Sequence, residues 1–155
     1  LAFLPPNYDD APLRAVCAVD RNHVVAVGDH GTVWQTRDGG KTWDRMKSGC
    51  KPSLRGVCFV NELQRWAVGR TERPADTSVG TVMKTSDGGL TWEEATDTPL
   101  PGLNGVKFFD ESTGIAFGDG TPAAPSGLFA TGDGGKTWVG IAGPRVSSWT
   151  CGQFT

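Results

Sequence analysis

Five arginines and three aspartates are the residues of this 155-residue chain whose types and repetition best suit chemistry. Arg14 and Arg55 sit in two near-identical runs, Leu13-Arg14-Ala15-Val16-Cys17 and Leu54-Arg55-Gly56-Val57-Cys58; Arg70, Arg73 and Arg145 lie in connecting segments. A guanidinium binds a carboxylate through two parallel N–H···O bonds, so the five predict an anion- or carboxylate-binding patch. Asp29, Glu72, Asp76, Asp97 and Asp119 fall nearby and offset part of that charge. Asp38, Asp87 and Asp133 each precede a Gly-Gly pair and are 49 and 46 residues apart. One carboxylate followed by two glycines offers too few oxygens for calcium. Carboxylates on separate repeats imply no acid–base pair at glycosidase spacing. His23 and His30 have no third ligand beside them, so neither a metal nor a cofactor is expected. Cys17, Cys50, Cys58 and Cys151 form no Cys-x-x-Cys pair, which argues against a zinc ribbon or a thioredoxin-type centre. They are read as free thiols.

The elements that position these residues repeat. Thr36-Arg37-Asp38-Gly39-Gly40-Lys41-Thr42-Trp43 recurs with Asp87-Gly88-Gly89 before Trp92, and with Asp133-Gly134-Gly135 before Trp138. Asp accepts bonds from backbone amides just downstream, the glycines allow positive φ, and the Thr hydroxyl is expected to satisfy a turn carbonyl. Trp43, Trp92 and Trp138 are expected to be largely buried between sheets. Their 49- and 46-residue spacing matches a four-stranded blade of roughly 40–50 residues. Four strands are predicted per repeat: 13–19, 23–28, 31–37 and 42–46; 54–60, 64–69, 80–86 and 91–95; 103–109, 113–118, 127–132 and 137–142. The fold class is thus all-β, a propeller of four-stranded antiparallel blades at about 13–46, 54–95 and 103–142, after an N-terminal segment 1–12. Ser148-Trp149-Thr150-Cys151-Gly152-Gln153-Phe154 mimics the first strand again, so a fourth blade is expected to begin at 148–155. A ring needs about 4–8 blades, so the remaining blades are expected elsewhere in a longer chain.

Over residues 13–155 these turns resemble the Asp-box, or bacterial neuraminidase repeat, superfamily of β-propellers. With Trp66-Ala67-Val68-Gly69 and Gly80-Thr81-Val82 added, the chain most resembles the photosystem II assembly and stability factor family. That resemblance implies a noncatalytic binding or assembly scaffold whose partner is a protein or peptide. Two other functions use similar propellers: glycoside hydrolases (sialidase-like or xyloglucan-degrading) and secreted adhesion or sorting receptors of the sortilin type. A sialidase needs a Tyr–Glu nucleophile pair, and the single tyrosine, Tyr8, precedes the first repeat. The Phe/Tyr-Arg-Ile-Pro run that opens sialidase domains is absent.

A net charge of −2 gives no electrostatic case for nucleic acid. No apolar run approaches the roughly 18 residues of a membrane helix. An extracytoplasmic location is expected. In a four-stranded meander the Asp turns lie at one end, with the second-to-third-strand loops and the inter-blade links at the other. Those loops differ in length: Asp29-His30 in the first repeat, Arg70–Val79 in the second, Asp119–Ser126 in the third. Binding is expected at that end, with Arg14 and Arg55 beside the central channel.

Overall fold

A computed structural model describes residues 10–152; Tyr8 and the last three residues of the predicted fourth-blade strand lie outside it. Sheet 1 holds β1 (Leu13–Ala18), β2 (Val24–Gly28), β3 (Thr32–Thr36) and β4 (Asp44–Lys47). Sheet 2 holds β5 (Ser53–Phe59), β6 (Arg65–Arg73), β7 (Thr77–Thr85) and β8 (Glu93–Glu94). Sheet 3 holds β9 (Leu103–Phe108), β10 (Gly114–Gly118), β11 (Leu128–Thr131) and β12 (Val139–Gly140). Each is an antiparallel meander in chain order.

The strands are apolar on both faces because each sheet is covered on both sides where neighbours exist. Val25, Val27 and Val33 of sheet 1 pack against Leu54, Val57 and Met83 of sheet 2. Cys58, Trp66, Val68 and Val82 of sheet 2 pack against Leu103, Val106, Phe108 and Trp138 of sheet 3. At this second junction Trp66 stacks on Phe108 with ring centroids 3.9 Å apart, and its Nε1 donates to the Gly134 carbonyl at 2.9 Å.

The three Asp-Gly-Gly turns are superimposable in their bonding. Thr36 Oγ1 donates to Asp38 at 2.8 Å and accepts from Gly40 N at 2.9 Å; Asp38 accepts from Thr42 N at 2.9 Å and from Thr42 Oγ1 at 2.6 Å. The same bonds recur around Asp87 and Asp133. The threonine hydroxyls therefore serve the carboxylate and a glycine amide, not the turn carbonyl expected. Both glycines of each pair have φ between 73° and 91°, the left-handed region that a Cβ disfavours.

These donors hold the Asp38, Asp87 and Asp133 carboxyls down at about 2, the threonine hydroxyl four residues on being the largest cause in each. An unfolded aspartate titrates near 3.9. Because the folded value is depressed, the stabilisation is complete above about 4 and is lost as pH falls toward 2. Thermal midpoints are expected to stay flat from neutral pH to about 5 and to fall between about 4 and 2. An Asp87→Asn chain is expected to lose less over that acid window. A wild-type midpoint at the acid end equal to that at neutral pH would contradict the turn-clamp role.

Four sequence expectations are corrected. The ten residues Arg70–Val79 are not a loop: β6 and β7 run on as a paired hairpin to Arg73↔Thr77. Its tip is Pro74-Ala75-Asp76, with φ of 64° and 53° at the last two residues. The fourth strands start one residue after each tryptophan and are short; prolines at 99, 101 and 144, which lack a donor, follow the two shortest. The tryptophans differ in burial: Trp138 is 5% exposed, Trp92 half-buried and Trp43 41% exposed. Trp92 and Trp138 reach back to the preceding sheet, and sheet 1 has none before it among the described residues. Residues 148–152 form one bridge, Asp119↔Ser148, rather than a continuous strand.

Candidate functional site: an arginine-lined cleft at the hairpin end

The residue after the leading leucine of each first strand points to one place. Arg14, Arg55, Asn104 and, in the extended tail, Thr150 occupy equivalent positions, and all four line a cleft of about 370 Å³. Arg70, Glu72, Asp119 and Ser148 complete its wall. This convergence depends on a close approach between first and second strands. A Cβ on Gly28, Gly69 or Gly118 would lie 2.0–2.1 Å from the carbonyl oxygen of Pro12, Ser53 or Gly102. A register shift follows at the same level in each sheet, between Leu13 and Ala15, between Leu54 and Gly56, and between Phe117 and Gly118.

The three arginines of the cleft differ in their commitments. Arg14 is clamped on Asp29, Nε to Oδ1 at 3.0 Å and a terminal nitrogen to Oδ2 at 2.6 Å. The Arg14 bond, outweighing burial, holds the Asp29 carboxyl at about 2, helped by Ser53. Arg70 grips Asp119 at 3.0 and 2.7 Å and also meets Glu72 at 2.5 Å. Burial pushes Asp119 up, but bonds from Ser148, Ser78 and Arg70 leave it below its ordinary value. Arg55 has no ion pair among the described residues, and its Nε is buried with no hydrogen-bond partner. Its charge does reach Asp29.

Asp29 and Asp119 follow the terminal glycines of β2 and β10, and each bonds a serine at the start of the next unit. Ser53 donates to Asp29, and Ser148 lowers Asp119 through its hydroxyl. At the intervening junction Arg70 holds the aspartate's position and Gly102 the serine's, and Ser78 of the hairpin links Gly102 to the carboxylate that Arg70 grips: its hydroxyl donates to Asp119 at 2.5 Å and accepts from Gly102 N at 2.8 Å. The sequence reading missed Asn104 and these serines. The signal was present, since Asn104 aligns with Arg14 and Arg55, and Ser148 with Ser53.

Of the five arginines proposed from sequence, the structure brings Arg14, Arg55 and Arg70 together. Arg73, near the hairpin tip, and Arg145, after β12, are exposed and line neither this cleft nor the adjoining one of about 350 Å³ between sheets 1 and 2. Asp38, Asp87 and Asp133, with their glycines and tryptophans, lie on the turns after the third strands, at the opposite end of the sheets. His23 meets Asp20 at 2.7 Å. No group of three or more His, Cys, Asp or Glu suited to a metal exists among the described residues. No described helix is long and apolar enough to cross a membrane. Asp29 and Asp119 are both held as ionised acceptors, so neither carries a proton to donate near neutral pH. The arrangement suits binding of an anion.

Comparison with solved structures settles the architecture. YCF48 from Cyanidioschyzon merolae superposes with a TM-score of 0.67 at 21% identity, over 91% of this chain and 40% of that one. The sheets are propeller blades. A second structure, of YCF48 bound to D1 peptide, gives 0.62 at 25% identity over 83% of this chain and 39% of that one. An ancestral GH74 enzyme gives 0.58 at 16% identity, over 86% of this chain and 19% of that one. This chain therefore spans about 40% of the length of the two YCF48 structures. No family model and no curated protein matches it. In blade terms, the cleft lies where the innermost strands β1, β5 and β9 and the tail converge, with the β6–β7 hairpin of blade 2 as its side wall.

Proposed function

We propose that this chain is a noncatalytic propeller scaffold, photosystem II assembly factor-like, that binds a protein or peptide through a carboxylate at the hairpin-end cleft. The observation that carries the reading is Arg55, whose buried Nε has no partner inside a cleft where Arg14 and Arg70 are each already paired with an aspartate. A buried donor left unpaired costs about 1–3 kcal/mol, so an incoming carboxylate on Arg55 gains from relieving it. The neighbouring YCF48 structure is of a complex with D1 peptide, which favours a peptide over a small anion. The whole-protein partner, the extracytoplasmic setting and further blades in a longer chain belong to the same proposal. So does membership of the Asp-box superfamily. A hydrolase of the GH74 kind is the second reading, and its sole support is the distant structural match.

The test is fluorescence anisotropy with labelled acidic peptides, one series ending in a free carboxylate and one amidated. Arg55→Gln is expected to weaken binding by about tenfold or more, the equivalent of roughly 1.4 kcal/mol. Arg73→Gln, outside the cleft, is expected to bind like the wild type. Equal affinity for wild type and Arg55→Gln would remove the cleft from the site. Glycan hydrolysis by the wild type would establish the second reading.

A further inference from the structure

Two turns cap each blade at the end opposite the arginine cleft, and they are built alike in all three. The turn between first and second strands opens on Asp20, Asn61 or Asp110, whose side-chain oxygen accepts from the backbone amides two and three residues on. The Asp-Gly-Gly turn docks on it: the amide of Gly39, Gly88 or Gly134 donates to the carbonyl of Asn22, Leu63 or Ser112 at 3.1, 3.0 or 2.8 Å. Side chains at matching positions therefore compare directly. At the docking carbonyl blades 1 and 3 carry Asn22 and Ser112, and blade 2 carries Leu63. After the second glycine blades 1 and 3 carry Lys41 and Lys136, and blade 2 carries Leu90. The turns do not need these leucines, since the polar versions make the same bonds. Leu63 is 57% and Leu90 63% exposed. One exposed leucine is ordinary, but two on hydrogen-bonded turns, where the repeat otherwise places polar groups, mark a contact surface.

The open sides of the array do not account for this exposure. Blade 2 is flanked by blades 1 and 3, and a further blade joins a ring side to side, so it does not reach the flat end of the middle blade. Charge says what fits there. Beside Leu63 a groove of about 410 Å³ runs between blades 2 and 3, lined also by Asn61, Glu62, Gln64, Ser86 and Glu111. Glu62 and Glu111 have no ion pair among the described residues. Arg65 bonds the Glu62 backbone carbonyl, and Lys84, at the same junction, is turned onto the Trp66 ring at 5.2 Å. Asn61 Nδ2 reaches Glu111 Oε1 at 3.4 Å. The lysine that blades 1 and 3 hold after the second glycine would offset such charge, and blade 2 has Leu90 in its place. An apolar patch bordered by free carboxylates is complementary to apolar side chains flanked by cations; an acidic peptide or an anionic lipid surface meets repulsion. We propose that this end of blade 2 docks a partner segment in which leucine-like residues stand beside lysine or arginine. This surface is independent of the arginine cleft, which takes a carboxylate at the other end.

Fluorescence anisotropy on the full chain tests this, with a short labelled peptide of alternating leucine and lysine as probe and a leucine–glutamate peptide as counterpart. The wild type is expected to bind the first and not the second. Leu63→Asn and Leu90→Lys install the residues that blade 1 carries at these positions, so the fold is expected to persist, with an unchanged far-ultraviolet spectrum. Together they are expected to raise the dissociation constant at least about tenfold. Glu62→Gln with Glu111→Gln is expected to raise it about threefold and to flatten its dependence on salt. Arg55→Gln, in the cleft at the far end, is expected to leave it unchanged, so the two sites fail or hold separately. A wild type that does not bind the leucine–lysine peptide overturns the proposal. So does equal affinity in the folded leucine variants, or equal binding of the leucine–glutamate peptide. Leucine-dependent binding to anionic phospholipid vesicles in place of the peptide would show a membrane-facing patch and overturn it equally.

Discussion

Replacing Trp138 by Ala is expected to destabilise the chain by about 3–5 kcal/mol, the usual cost of emptying a buried aromatic site. Trp138 is 5% exposed, its Nε1 donates to the Gly135 carbonyl at 2.9 Å, and its ring meets Phe108 edge-on with centroids 6.0 Å apart. Its backbone amide is also tied to Thr98, in the link from blade 2, at 3.1 Å. Removing the ring therefore opens a cavity between two blades and leaves a buried carbonyl without its donor. Trp43→Ala removes the same residue from the same motif, yet its ring is 41% exposed; its cost is expected to stay under about 1 kcal/mol. Trp92, half-buried with its Nε1 unpaired, is expected to fall between them. Urea midpoints at fixed slope give the order. Equal midpoints for all three would show that the motif acts locally and does not join blades.

The second large effect concerns the close approach behind the cleft. Gly118→Ala would place a Cβ 2.0 Å from the Gly102 carbonyl oxygen and 2.9 Å from Leu103 Cα. Both obstacles are backbone, so no side chain can swing aside, and a cost at the upper end of overpacking, about 3 kcal/mol, is expected. Gly132→Ala is the control, since nothing lies within 4 Å of the position its Cβ would take and its φ is not in the left-handed range. Thermal denaturation followed by circular dichroism is expected to separate the two by many degrees. Indistinguishable melts would mean that β9 and β10 can part without cost, and that the positions of Asn104 and Asp119 are not fixed by this contact.

The parts of the molecule written in local sequence were legible without coordinates. The Asp-Gly-Gly turn closes through residues two and four positions apart, so its meaning survives in any context. The innermost-strand column was legible because Arg14 and Arg55 sit in matching runs. Three features were hidden for physical reasons. The hairpin extension Thr71-Glu72-Arg73 is polar on both faces, with no alternation to mark it as strand. The pairing of Arg70 with Asp119 joins residues 49 apart, and which carboxylate an arginine chooses is decided by the ring's geometry. The exposure of Trp43 depends on what packs against blade 1, which a motif does not encode.

The Asp29–Ser53 and Asp119–Ser148 contacts join the first unit to the second and the third to the tail. Fastening and reading share side chains there, since Arg14 grips Asp29 and Asn104 Nδ2 donates to Ser148 Oγ and to the Trp149 carbonyl. Arg55 bonds to neither joint, so within the row it is the tumbler that can be recut without rebuilding the lock. Ligand preference in this architecture can drift at position 55 while a change at 14 or 104 also loosens a joint.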